Sequence, residues 1–374
     1  MTARRDSVPG VEDTLRRSLD ETLLWLCAIA SPIGEERALC DALHKRMGAL
    51  ALSSPIRRYL DSIVVPLTRV PGTKSGRPHI VLCGHTDTVR TENGPARIEG
   101  NRIFGSGASD MKSGLALMVA LAEHRLEALS HCCDVTLVFY AREEGPFAEN
   151  ELGPVLDGDA DLATADLAIC LEPSNNKLHL GCMGSVHAQV TFHGRTAHSA
   201  RPWQGESAVS KAWPFIKEVA ELAPDESTLD GLHYRSVTTI TQAKDGGRGR
   251  NVVPDTFLCN VNHRFAPDRT LEDAQRHIMK LVSNRAELVF TDLSPAAPPR
   301  RDHRLVEQLV AAGVRAVEPK HAWTDVARFA ARGIAAVNFG PGENAQAHQK
   351  NESTDLPLVH EGFEILERFL RSAK

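Results

Sequence analysis

A histidine and an aspartate two residues apart close the apolar run Val81-Leu82-Cys83-Gly84-His85-Thr86-Asp87. In extended backbone, residues i and i+2 point the same way, so this imidazole and carboxylate share one face. A carboxylate beside a histidine fixes the ring's tautomer and raises its basicity, as a metal-ligating imidazole requires. Taken alone, such a pair is more often a surface turn or a satisfied hydrogen bond than a metal site. More carboxylates follow at comparable places. Gly105-Ser106-Gly107-Ala108-Ser109-Asp110 puts Asp110 at the mouth of a helix, where it could serve only as an N-cap. Phe139-Tyr140-Ala141 runs into Arg142-Glu143-Glu144-Gly145, which read alone is a solvated turn. Ala168-Ile169-Cys170-Leu171 ends in Glu172, and an idle carboxylate after so apolar a run is expensive. Downstream, Phe339-Gly340-Pro341-Gly342 leads to His348.

Together these residues make a ligand set. Oxygen and nitrogen donors without thiolate suit Zn(II), with Co(II) or Mn(II) as substitutes. His85, Asp110, Glu144, Glu172 and His348 are more ligands than one tetrahedral ion with an open position can use. A two-metal site, its ions roughly 3.5 to 4 Å apart and one carboxylate between them, is the economical reading. Asp110 is the best candidate for the bridge. Of the adjacent glutamates, one can bind metal while its neighbour does acid/base work.

The elements that must position these groups follow from periodicity. Helical patterns cover Val11 to Ala30 and Glu35 to Met47, followed by strands at His79 to Cys83, Asp134 to Ala141 and Asp166 to Leu171 and a helix at Lys112 to Glu127. This alternation predicts an α/β layer structure with ligands gathered at strand ends. Near residue 183 the pattern changes. Val186 to His193 alternates strictly, as a half-exposed antiparallel strand does. A helix (Glu206 to Leu222), strands at Ser236 to Ala243 and Thr256 to Phe265, a helix (Leu271 to Asn284) and a strand (Glu287 to Thr291) complete an α+β insert. The first pattern then returns with a helix at Leu305 to Ala316, a strand at Ile334 to Phe339 and a helix at Leu358 to Ser372. The expected organisation is one discontinuous domain, residues 1–182 and 294–374, interrupted by a second, residues 183–293.

At 374 residues the chain exceeds one compact core, and 42% apolar with 24% charged residues is ordinary globular composition. A net charge of -5 with scattered Lys and Arg offers no field for nucleic acid or anionic lipid. Met1 to Gly10 is polar and no apolar run of about 18 residues occurs, so a soluble cytoplasmic protein is expected. The 8 cysteines form no Cys-x-x-Cys and sit mostly in apolar runs, which predicts reduced, buried thiols.

The motifs His85-Thr86-Asp87, Asp110-Met111-Lys112-Ser113-Gly114, Glu143-Glu144-Gly145, Glu172-Pro173-Ser174 and His348 resemble, in order, the landmarks of the acetylornithine deacetylase / succinyl-diaminopimelate desuccinylase / aminoacylase family. Within it the chain looks most like the actinobacterial desuccinylases, through Arg264-Phe265-Ala266-Pro267-Asp268-Arg269, Trp323-Thr324-Asp325-Val326-Ala327-Arg328-Phe329 and Val337-Asn338-Phe339-Gly340-Pro341-Gly342. The resemblance implies a zinc-peptidase-like α/β/α catalytic domain with an inserted ferredoxin-like lid domain that makes a homodimer. It implies two zinc ions, one on His85 and Glu172, the other on Glu144 and His348, with Asp110 on both. Asp87 would orient His85, Glu143 would be the general base, and the Asp110–Met111 peptide would be cis. His198, in Gly194-Arg195-Thr196-Ala197-His198-Ser199-Ala200, would reach the partner's site as an oxyanion donor, with Asn251 a substrate contact supplied the same way. The implied substrate is N-succinyl-LL-2,6-diaminopimelate, whose carboxylates Arg264 and Arg328 would bind. Another N-acyl amino acid such as N-acetylornithine, or a dipeptide, is the alternative substrate, and a catalytically silent metal-binding protein the remote one. One departure is visible: many desuccinylases have Arg-Arg-Gly-Ser where this chain has Cys182-Met183-Gly184-Ser185.

Overall fold

The computed structural model describes residues 9–247 and 249–373. Most of the polar N-terminal stretch, residues 1–8, lies outside them. The chain divides into two compact units. The first comprises the chain up to Leu180, Arg300–Glu318 and the chain from Arg328; the second comprises Gly181–Pro299 and Pro319–Ala327.

The first unit is built on an eight-stranded mixed sheet, in the order Arg57–Tyr59, Ser62–Pro66, Asp134–Tyr140, His79–His85, Leu167–Cys170, Ala336–Asn338, Leu178–Leu180 and Val317–Pro319. The adjacent central strands Asp134–Tyr140, His79–His85, Leu167–Cys170 and Ala336–Asn338 run parallel, and every residue in them is buried. Such strands read as continuous apolar runs because helices cover both faces. The helix Lys112–Leu129 packs on the strand His79–His85 so closely that a Cβ at Gly84 would collide with the side chains of Met111 and Leu115. At Gly114 a Cβ would collide with the Leu171 carbonyl. These two glycines bring the helix that follows Asp110 against the strand that precedes Glu172.

The second unit is a five-stranded antiparallel sheet, ordered Asp225–Leu229, Leu232–Asp245, Thr256–Phe265, Gly184–His193 and Glu287–Ser294. Val186, Ala188, Val190 and Phe192 point into a core with Phe215 of the helix Ala208–Ala220 and Ile278 of the helix Leu271–Val282. The strand's other face is less open than the alternation predicts, since Thr191 is only 8% exposed and His187 and Gln189 are half-buried.

Several boundaries differ from the sequence reading, the second unit running to Pro299 rather than to 293 and three others having a visible cause. The helix expected over Leu305 to Ala316 spans Arg304–Ala311, because Gly313 (φ +105°) turns the chain into the strand Val317–Pro319. The strand expected from Ser236 begins at Leu232, where Leu232, Tyr234 and Ser236 continue the buried alternation. The segment Pro319–Ala327 joins the second unit, where Trp323 Nε1 donates to Pro295 O (3.1 Å) and Met183 N donates to Lys320 O (3.3 Å). The cysteines are free thiols, all buried except the half-buried Cys132.

Candidate metal centre

At the carboxyl ends of the parallel strands, His85, Asp110 and Glu144 bring ligand atoms within 4.8 Å of one another. His85 Nε2 lies 3.3 Å from Asp110 Oδ1. His348 joins from its distant loop, its Nε2 2.7 Å from Glu144 Oε1 and 3.6 Å from Asp110 Oδ2. Glu172, 5% exposed, stands two residues past the strand Leu167–Cys170, outside the trio His85, Asp110 and Glu144. The loop leading to His348 rests on these neighbours, for a Cβ at Gly340 would collide with Glu172 O and one at Gly342 with Ser109 O.

Asp110 does not cap the helix that follows it. Met111 occupies the cap position, no side chain caps there, and the Asp110–Met111 peptide is cis. Asp87 is fully buried and its carboxylate accepts the backbone N–H of Glu143 (Oδ1, 3.0 Å) and of Glu144 (Oδ2, 2.9 Å). The same Oδ1 lies 3.5 Å from His85 Nδ1, which is also 3.1 Å from Asp87 O. One aspartate thus fixes both the imidazole and the turn bearing the two glutamates. Thr86 ties the strand ends together, its N–H donating to Tyr140 O at 2.7 Å. Arg142 (φ +63°) and His348 (φ +58°) adopt left-handed backbone, which costs a non-glycine residue roughly 1 kcal/mol or more and clusters at functional sites.

The electrostatics favour positive charge at this place. Burial alone would push the His85 pKa down, but the charge of Asp87 and hydrogen bonds with Asp110 and Asp87 raise it well above its ordinary value. His348 rises to about 9, chiefly through its hydrogen bond with Glu144. Burial would raise Asp87, yet the His85 charge and the two backbone N–H groups hold it below the usual carboxylate range. Carboxylates that draw two imidazoles toward their cationic forms would equally hold divalent cations, so the donor set fits the metal reading.

The remaining candidates fall into separate places. His198 and Asn251 are both exposed, on adjoining loops of the second unit: Ser199 N donates to Asn251 O (2.8 Å), and His198 bridges to Val252. Arg264 is half-buried, its Nε donating to Asn262 Oδ1 at 3.0 Å. Asn262 in turn donates to Ser185 Oγ at 3.1 Å, so the departure Cys182-Met183-Gly184-Ser185 leads into the strand Gly184–His193, whose Ser185 pairs with Arg264. Arg328 is 6% exposed, its guanidinium 3.8 Å over the Phe147 ring with Nη2 donating to Phe147 O. Glu352, absent from the sequence reading, accepts the N–H groups of Gly107, Ser109 and Asp110. A glutamate four residues after a histidine in a polar loop carries no signal of that role.

The model of peptidase family M20/M25/M40 matches residues 81–372. A succinyl-diaminopimelate desuccinylase of Corynebacterium glutamicum is 33% identical over 352 residues, 92% of this chain and 94% of that protein. Among solved structures, a tripeptidase of Staphylococcus aureus superposes with a TM-score of 0.76 at 18% identity, covering 95% of this chain and 98% of its own. A dinuclear metal-binding M20 peptidase of Bacillus subtilis gives 0.69 at 12% identity, covering 96% and 98%. At such identities the two structures speak for the fold.

Proposed function

The chain belongs to peptidase family M20/M25/M40, and from that membership we propose that it is a di-zinc amidohydrolase releasing succinate and LL-2,6-diaminopimelate from N-succinyl-LL-2,6-diaminopimelate. The observation that carries the reading is the convergence of His85, Asp110, Glu144 and His348 around a turn whose two glutamates hang from Asp87. The substrate follows from the Corynebacterium relative, which is similar over nearly its whole length.

In this reading His85 and Glu172 would hold one ion, Glu144 and His348 the other, and Asp110 would contribute to both, with Co(II) or Mn(II) as substitutes for zinc. Bound there, divalent ions would polarise an amide carbonyl and make water acidic enough to react near neutral pH. Glu143 takes the proton of the attacking water and delivers it to the leaving amine. Its backbone N–H is pinned to Asp87, so its carboxylate is presented from a fixed turn. His198 of the partner subunit donates to the developing oxyanion, and Asn251 beside it contacts the substrate. Arg264 and Arg328 are the guanidinium groups for the substrate's carboxylates. The working form is a cytoplasmic homodimer joined through the second unit, with no nucleic-acid or membrane partner. In support, the sheet border Val237–Asp245 extends past its short neighbour Asp225–Leu229, and unpaired sheet borders are common pairing surfaces. No helix among the described residues is long and apolar enough to cross a membrane.

The test is a comparison of kcat/KM for the succinylated compound, N-acetylornithine and dipeptides, with metal content measured on the same preparation. The succinylated compound is expected to be best. A better acetylated or dipeptide substrate would keep the chemistry and replace the substrate.

A further inference from the structure

Asp110 is presented by a loop of small residues whose own main-chain bonds include Ala108 N to Gly105 O (3.0 Å) and Lys112 N to Gly107 O (2.7 Å). Gly105, Ser106, Gly107, Ala108 and Ser109 are small, and Gly107 takes φ +78°. Small residues leave a chain many alternative conformations. From outside, Ser109 Oγ accepts Glu343 N (2.6 Å) and donates to Glu343 O (2.9 Å), and Glu352, only 4% exposed, adds the constraint with the most bonds to the loop's main chain. Its Oε1 accepts the N–H groups of Ser109 and Asp110, both at 2.9 Å, and its Oε2 accepts that of Gly107 at 2.8 Å. The main chain repeats the link, because Gly105 N donates to Glu352 O at 3.0 Å. Glu352 is itself held, its N–H donating to Asn93 Oδ1 at 2.8 Å. Beneath the loop, fully buried Lys112 donates from Nζ to Ile29 O at 2.9 Å, and its stem fills the space a Cβ at Gly107 would need. His348 lies four residues before Glu352, so one short segment carries both a ligand and the clamp on another ligand's loop.

We propose that Glu352 is a positioning residue of the metal centre: by gathering three N–H groups of the Gly107–Asp110 loop it fixes the direction of the Asp110 carboxylate and its spacing from His348. The consequence for metal binding rests on the two-metal reading above. The clamp itself is a matter of hydrogen bonds and can be tested apart from it.

Glu352→Gln offers one carbonyl oxygen where the carboxylate offers two, so a loop N–H must face an amide donor. Glu352→Asp keeps the charge and draws it back by one methylene. Both variants are expected to bind Zn(II) 10- to 100-fold more weakly in chelator competition and to give an altered Co(II) absorption spectrum, a readout of coordination that lowered stability alone does not move. Amide exchange on the unsubstituted, metal-free protein needs no variant to fold, and slow exchange is expected at Gly107, Ser109 and Asp110. Unchanged affinity and spectrum in both variants, or fast exchange at the three amides, overturns the proposal alone. An unsubstituted protein that binds no divalent ion overturns the two-metal reading and the metal role of Glu352 with it.

Discussion

In the proposed scheme Asp87 holds the site and Glu143 reacts. The Asp87 carboxylate serves two backbone N–H groups and one imidazole, so Asp87→Asn keeps the shape but replaces an acceptor oxygen with a donor. Zinc affinity should fall roughly 10- to 100-fold, measured by chelator competition, as for other partners of metal-bound histidines. Glu143 holds no ion in the proposed scheme, so Glu143→Ala should retain both metals while kcat falls by about 10² to 10⁴, the usual contribution of a positioned base. Retained turnover would remove the base from that role. Lost metal would make Glu143 a ligand instead.

At the scale of elements, the parallel strands were legible because burial on both faces leaves them apolar from end to end, and a charged residue directly after such a run has few uses. Hence His85, Glu144 and Glu172 could be singled out as candidates from their places at strand ends. What stayed hidden depends on contacts between distant segments. The two bonds from Asp87 to the Glu143–Glu144 turn are made between main chain and side chain, and main-chain partners leave no mark on composition. The seating of Pro319–Ala327 in the second unit is made by single main-chain partners, the Trp323 indole meeting Pro295 O and Met183 N meeting Lys320 O. The second unit also carries a pH dependence. His263, on the strand Thr256–Phe265, is pushed down to about 4 by burial and by the His277 ring stacked 4.5 Å away. The unfolded chain takes up a proton near pH 6.5 that the folded state refuses until about pH 4, so stability is present above 6.5 and declines as pH falls through that window. The loss amounts to roughly 3 kcal/mol at the acid end. Urea midpoints from pH 7 to pH 4 should fall less steeply for His263→Gln than for the unsubstituted protein. Parallel declines would show that His263 is free to protonate in the fold.

For the whole molecule, the decisive question is whose active site His198 serves. It is exposed on a loop of the second unit beside Asn251, whereas the candidate ligands and Glu143 belong to the first. If each subunit lends its His198 to the other, His198→Ala and Glu143→Ala subunits fail for complementary reasons. A dimer of two His198→Ala chains lacks the oxyanion donor at both sites, and a dimer of two Glu143→Ala chains lacks the base at both. A mixed dimer has one site with neither group and one site with both, because the His198→Ala subunit keeps Glu143 and receives His198 from its companion. With equal co-expression and random pairing, half of the dimers are mixed and half of their sites work, so about a quarter of the unsubstituted activity should return. Each variant alone should remain near its own low rate, and sedimentation should show dimers throughout. A mixture no more active than the average of its parents would place His198 in its own subunit's chemistry, or in none, and would remove the reason for the dimer.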